Sequence, residues 1–118
     1  MNSNVSLSIV VPIYNEEESL RFLVNQLLDV LRPMNESFEL VLVNDGSSDN
    51  SEEVIRKLSL EVPELVTVLL RKNYGQTAAM AAGFDISSGE IVVTLDGDLQ
   101  NDPKDLSLIH ISEPTRPY

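Results

Sequence analysis

Apolar and polar positions along this chain switch repeatedly between two periods. Leu7-Ser8-Ile9-Val10-Val11-Pro12-Ile13 is an apolar, β-branched run, as expected of a strand covered on both faces. Leu20, Leu23, Val24, Leu27, Leu28 and Leu31 then recur at the spacing of a single helical face. Phe38 to Val43 reads as a second strand. Val54, Ile55 and Leu58 mark a second helix, with Asp49 and Glu52 placed as a capping box at its start. Leu65 to Leu70 is a third strand, the alanine-rich stretch from Thr77 to Phe84 a helix lying close on the sheet, and Ile91 to Leu95 a fourth strand.

The predicted order is β-α-β-α-β-α-β. Short apolar strands alternating with helices imply an α/β, Rossmann-like half: a parallel sheet with helices on both faces and right-handed crossovers. Four such strands leave an exposed edge strand, so the piece taken alone is expected to be marginally stable. Ligands of these sheets bind beyond the carboxyl ends of the strands. Four polar segments follow strands here: Tyr14-Asn15-Glu16, Asp45 to Asp49, Arg71 to Gln76, and Asp96 to Gln100. All four are expected at one edge of the sheet.

Composition narrows the chemistry. A chain of 118 residues suits one small domain or part of a larger one, and 42% apolar residues support a packed core. The absence of cysteine excludes disulfide and thiolate-metal frameworks and fits a reducing compartment. Nineteen acidic residues against 8 Lys and Arg give a net charge of −11, which argues against nucleic acid as a partner. The same charge makes an anionic ligand hard to hold with side chains alone, so a cation is expected as intermediary. No stretch is long enough to span a bilayer, and the polar start, Met1 to Ser6, lacks the basic region of a signal peptide.

Each post-strand segment carries a chemical reading beside a structural one. Asp96-Gly97-Asp98 places two carboxylates one residue apart at a strand mouth, with the Gln100 amide beyond. Hard oxygen ligands of this kind suit Mg²⁺ or Mn²⁺; the alternative is an acidic turn and helix cap. Pro12 removes an amide donor late in the first strand and is expected to stop the ladder there. Asn15 and Glu16 can then meet a ribose or base edge, or simply start a helix with Asn15 as cap. Asp45 can accept the N–H of a uracil or guanine ring, or serve a turn with Gly46. Arg71 and Lys72 are paired cations near a strand end, followed by Gly75 and the amides of a helix start, which suit an anion or a plain solvated loop.

Taken together, Val11-Pro12-Ile13-Tyr14-Asn15-Glu16-Glu17, Asn44-Asp45-Gly46-Ser47-Ser48-Asp49, Asn73-Tyr74-Gly75-Gln76 and Asp96 through Pro103 resemble the family 2 glycosyltransferases of GT-A fold, over roughly residues 6 to 105. The Asp-x-Asp-Leu-Gln form resembles the polyprenyl-phosphate branch, the dolichol-phosphate mannosyltransferase-like enzymes. Asn44 stands where many relatives carry a second Asp, and Gly97 where many carry Ala.

The resemblance implies that Pro12, Tyr14, Asn15, Glu16, Asn73 and Gln76 line a nucleotide-sugar pocket for a UDP- or GDP-linked donor. By the same resemblance Asp45 holds the base, Asp96 sits near ribose and metal, and Asp98 and Gln100 hold the cation. It further implies sugar transfer with inversion to a polyprenyl phosphate. The expected location is cytoplasmic, with the parent protein at the cytoplasmic face of the membrane. Residues 1–105 are then the donor-binding half of a longer enzyme. Residues 106–118 resemble a read-through of an adaptor sequence and are expected to be foreign to the domain. The remaining alternatives are a non-catalytic nucleotide-binding piece and a family 2 transferase with a hydroxyl acceptor. Nothing in the sequence names a catalytic base.

Overall fold

The computed structural model describes residues 5–95 and 111–112. The elements are β1 (Leu7–Ile13), α1 (Leu20–Leu31), a 3-10 turn (Arg32–Met34), β2 (Phe38–Asp45), α2 (Ser51–Glu61), β3 (Leu65–Leu70), α3 (Gln76–Ile86), β4 (Ile91–Thr94) and β5 (Ile111–Ser112). The sheet order is β3-β2-β1-β4-β5. Its first four strands are parallel, as the alternation of periods predicts. β5 pairs antiparallel with β4, through Val92 with Ser112 and Val93 with Ile111. The edge of β4 is therefore not bare, and two residues inside the segment expected to be foreign lie in the sheet.

Alternation along the strands builds two cores. Ile9, Val11, Ile13, Leu40 and Leu42 face the six-leucine-and-valine stripe of α1 together with Ile55 and Leu58 of α2. Val10, Val41, Val43 and Val92 face the other way, onto Ala79 of α3. Burial of these side chains, each worth about 1.5–3 kcal/mol, is the main force closing the layers. α3 lies very close to the sheet: a methyl added to Gly83 would sit 2.4 Å from Val10 Cγ1 and 3.1 Å from Val43 Cγ2.

Several boundaries differ from expectation, each for a physical reason. The ladder does not stop at Pro12; it continues through Pro12↔Val43 and Ile13↔Asn44. Pro12 lies on the same side of β1 as Val10, whose carbonyl accepts the Leu95 amide. The missing donor is thus on the β4 side, and the pairing with β2 is untouched. β2 runs two residues past Val43, because Asn44 and Asp45 pair with Leu69 and Leu70 and satisfy their polar atoms inside the fold.

The capping box at Asp49 and Glu52 does not form. Asn50 occupies the cap position of α2 without a side-chain bond, Asp49 Oδ1 accepts the Ser51 amide at 2.9 Å, and Glu52 pairs with Arg56. Asn15 does not cap α1 either. That helix starts at Leu20 after a turn in which Glu16 O accepts the amides of Ser19 and Leu20.

The amino ends of the strands carry a buried polar cluster that periodicity does not reveal. Ser8 Oγ donates to Glu39 Oε2 at 2.6 Å, the Ser88 amide donates to the same oxygen at 2.8 Å, and the Gly89 amide donates to Ser8 Oγ at 2.8 Å. The carboxylate of β2 thereby fixes the turn from α3 into β4.

Candidate functional site

Three post-strand loops meet at the carboxyl edge of the sheet, and side chains staple them in series. Asn15 follows β1 with φ +53°, a left-handed backbone that Asn tolerates better than most residues. This turns its side chain across to the next loop, where Oδ1 accepts the Ser48 amide at 2.8 Å, the Asp49 amide at 3.2 Å and the Ser48 hydroxyl at 3.3 Å. The Asn15 amide in turn donates to Ser47 Oγ at 3.0 Å. The Glu16 amide donates to Ser51 Oγ at 3.0 Å, the Glu17 amide to Asp49 Oδ2 at 3.3 Å, and the Asn50 amide to Glu17 Oε1 at 2.9 Å.

The second staple is Asp45, the last residue of β2, which is only 3% exposed. Its Oδ1 accepts the Tyr74 amide at 2.8 Å, and its Oδ2 accepts the Gly75 amide at 3.0 Å and Asn73 Nδ2 at 3.1 Å. The neighbouring Gly46 has φ +65°, and a Cβ there would fall 2.1 Å from the carbonyl carbon of Lys72. The loops after β2 and β3 are therefore in backbone contact that only glycine allows at this position.

Asn15, Glu16, Glu17, Glu18, Ser19 and Asp49 line an open polar cleft of about 400 Å³ at this edge. Burial pushes the Asp49 carboxyl up, but hydrogen bonds from Ser51 and from the Glu17 amide outweigh it and hold the pKa below the ordinary carboxylate value. Four acids on this wall make it hostile to an unshielded anion. On the loop after β3, Arg71 and Lys72 are exposed, and Lys72 Nζ lies 5.4 Å from the centroid of the Tyr74 ring.

The expected site residues thus divide. Tyr14, Asn15, Glu16, Asn73 and Gln76 lie on the loops of this one edge, while Pro12 is buried within β1. Tyr14 is 46% exposed and Tyr74 54%. Asn15 and Asp45 have their acceptor atoms engaged by other loops of the protein. Asp96, Asp98 and Gln100 lie outside the described residues. The last described residue before them, Leu95, is buried at the end of β4, with its amide on Val10 O. Among the described residues no group of three or more His, Cys, Asp or Glu is placed to hold a metal ion, and no helix is long and apolar enough to cross a membrane. Sequence reasoning places Ser47, Ser48 and Asp49 at this edge but misses their bonds to the first loop, and misses Ser51 altogether. Their only advance signal is the density of Ser and Asp after the second strand.

The family model described as glycosyl transferase family 2 matches residues 8–109. The chain belongs to glycosyl transferase family 2. It is 41% identical over 109 residues to an undecaprenyl-phosphate 4-deoxy-4-formamido-L-arabinose transferase of Yersinia pestis (strain Pestoides F), covering 91% of this chain and 33% of that one. The protein of the same name from Photorhabdus laumondii is 45% identical over 102 residues, covering 85% and 31%. The chain therefore spans about a third of the length of these curated relatives.

Among solved structures, S. aureus TarS matches with a TM-score of 0.69 and 29% identity, over 80% of this chain and 28% of that one. TarS has also been solved with UDP and with UDP-GlcNAc. The Pyrobaculum calidifontis mannosyltransferase PcManGT, solved with GDP-Man and Mn²⁺, matches with a TM-score of 0.71 at 24% identity, over 81% and 28%. The fold is that of the GT-A glycosyltransferases.

Proposed function

We propose that this chain is the donor-binding half of a family 2 transferase that moves a sugar from a nucleoside diphosphate to a polyprenyl phosphate. One observation carries this reading: the loops after β1, β2 and β3 are stapled into one rim at the edge where β4 ends and the chain continues into Asp96-Gly97-Asp98. The relatives that act on undecaprenyl phosphate and the UDP complexes of the TarS fold support the choice of donor and acceptor.

Tyr14, Glu16, Asn73 and Gln76 line the pocket on this reading, with Asn15 and Asp45 shaping it. Asp98 and Gln100, with Asp96 beside them, would hold Mg²⁺ or Mn²⁺; their oxygens are the hard donors such ions prefer. The bound ion supplies neutralisation of charge on the leaving diphosphate. The rim itself contributes orientation: Glu16, Glu17, Glu18 and Asp49 close one wall to bare anions, and Arg71 and Lys72 stand exposed on the loop after β3.

On this reading the acceptor needs no general base. A phosphate monoester has a second pKa of about 6 and is largely ionised at neutral pH. Its oxygen can attack the anomeric carbon directly, the bond to the diphosphate oxygen breaks, and the nucleoside diphosphate leaves with the electron pair. The protein's task is then to hold two anions in line. The parent enzyme is placed at the cytoplasmic face of a membrane on the same reading, where both donor and lipid phosphate can be reached.

Titration calorimetry with UDP and GDP, in Mn²⁺ and in EDTA, tests this. Binding is expected only with the cation, and Asp98→Ala is expected to reproduce the effect of EDTA. Equal affinity in EDTA would overturn the role given to the cation, and no binding of either nucleotide would overturn the donor-site assignment.

A further inference from the structure

We propose that the open edge of β3 docks a second copy of this chain, whose own β3 joins it antiparallel about a two-fold axis through Thr67. β3 is the end strand of the sheet and pairs with β2 alone. Edge strands are usually blunted by a charge or a proline. The six residues of β3, Leu65-Val66-Thr67-Val68-Leu69-Leu70, hold neither. The inference stands on the fold and goes beyond the donor-site reading, on which it does not depend.

The outward groups follow from the ladder. In parallel pairing, alternate residues turn their amide and carbonyl toward the neighbouring strand. The Leu40 amide donates to Glu64 O, so Glu64, Val66, Val68 and Leu70 turn to β2, while Leu65, Thr67 and Leu69 turn outward. The Leu65 amide donates to Val62 O. The Leu65 carbonyl and both main-chain groups of Thr67 and Leu69 therefore line the open edge. Side chains alternate with the same period. Val66, Val68 and Leu70 pack on the α3 side of the sheet. Thr67 and Leu69 stand on the α2 side, and both are exposed there, Leu69 at 41%.

Charge selects the occupant. Glu64 stands immediately before β3, and Arg71 and Lys72 immediately after it. Neither cation is in an ion pair among the described residues. An antiparallel pair of identical strands sets Glu64 of each copy beside Arg71 and Lys72 of the other, twice over by symmetry. A parallel pair would set like charge against like. The net charge of −11 disfavours random contact between copies, so a register that joins unlike ends is the one with an attraction to offer.

Outward-facing residues of one strand oppose outward-facing residues of the other, which fixes the register. Centred on Thr67, the pairing sets Thr67 against Thr67, Leu69 against Leu65 and Val66 against Val68. The exposed Leu69 gains an apolar neighbour at both ends of the interface. One strand and its flanks make a small contact by the standard of stable dimers, so a concentration-dependent monomer–dimer equilibrium is expected.

Analytical ultracentrifugation of the chain over a concentration series tests this. The native chain should reach a dimer and go no further, because a two-fold contact closes. Thr67→Lys sets two ammonium groups face to face and should weaken the dimer at least about tenfold. Glu64→Lys and the double variant Arg71→Glu/Lys72→Glu should each do the same alone, and an equimolar mixture of the two should regain the native affinity, since every end then meets its opposite. The chain has no cysteine, so Thr67→Cys gives a clean cross-link. Directly opposed residues of this kind have Cα atoms about 5.5 Å apart, within disulfide reach. Mild oxidation should link Thr67→Cys and leave a Lys57→Cys control, exposed on α2, unlinked.

A native chain that stays monomeric up to about 1 mM overturns the proposal. So does a dimer that survives Thr67→Lys, which would form elsewhere on the surface. Assembly past the dimer would show an edge that captures strands without register, and a mixture that stays monomeric would refute the antiparallel charge match. Glu64→Lys gives up only an exposed pair with Arg32, so its fold is not at risk.

Discussion

Replacing Asn15 should loosen the seam between the first two loops by an amount the geometry bounds. Its Oδ1 accepts two backbone amides, Ser48 at 2.8 Å and Asp49 at 3.2 Å, and more weakly the Ser48 hydroxyl at 3.3 Å. These groups are at least partly exposed and can turn to water when the oxygen is lost, so each amide bond is worth its net value of about 0.5–1.5 kcal/mol. Asn15→Gly should therefore cost about 1–3 kcal/mol. Asn15→Ala loses the same bonds and must also hold a Cβ at φ +53°. That strain is about 1–2 kcal/mol, offset by the smaller chain entropy of alanine, about 0.5–1 kcal/mol. Alanine should end about 0.5–1 kcal/mol below glycine.

Asn15→Asp keeps an acceptor but adds a carboxylate beside Glu16, Glu17 and Asp49, so its cost should shrink as salt is added. Urea denaturation of the four proteins, followed by circular dichroism, measures all of this. Glycine and alanine variants within about 0.5 kcal/mol of native, or an alanine variant more stable than the glycine one, would refute the reasoning.

Other consequences are equally direct. Gly83→Ala gains about 1 kcal/mol in helix propensity but forces a methyl to 2.4 Å from Val10 Cγ1, and overpacking costs about 1–3 kcal/mol; urea midpoints should fall, and further for Gly83→Val. Glu39→Ala leaves the buried Ser8 Oγ without its acceptor and frees the Ser88 amide at the amino ends of the strands, and should cost about 1–3 kcal/mol, with Glu39→Gln milder; equal losses for the two would count against the bonding described. The Asp49 carboxyl is held below its ordinary value of 3.8, so its contribution to stability is full above that pH and is lost as pH falls through the lower folded value. Melting temperatures taken from pH 5 downward should therefore fall less steeply for Asp49→Asn than for the native chain; parallel curves would show that Asp49 is not held this way.

The layer architecture is legible in the sequence because the two periods are clean. The helical stripe from Leu20 to Leu31 is buried at all six positions, and the first and third strands have the predicted limits. Even the close seat of α3 is readable from its alanines. The misreadings share a cause: short polar residues near strand ends have several local partners available, and sequence alone ranks the nearest one first. Asp49 suggests a capping box with Glu52, but the turn places its carboxylate on Ser51 and Glu17. Asn15 suggests a cap for its own helix, but a left-handed backbone sends it to the next loop. Asp45 also takes partners that periodicity does not show: the loop after the parallel neighbour β3 delivers donors 28–30 residues further along the chain. The antiparallel β5 cannot be read at all, since two residues carry no period.

The most direct test of the central claim, that one edge of this sheet binds a nucleoside diphosphate through a divalent cation, is residue-resolved NMR of the chain titrated with UDP in Mg²⁺. Shifts should concentrate on Tyr14 to Ser19, Gly46 to Asn50 and Arg71 to Gln76, and should vanish in EDTA and in Asp98→Ala. The Ser8, Glu39 and Gly89 amides at the opposite edge should not move. Shifts at that opposite edge, or a pattern that persists in EDTA, would contradict the account.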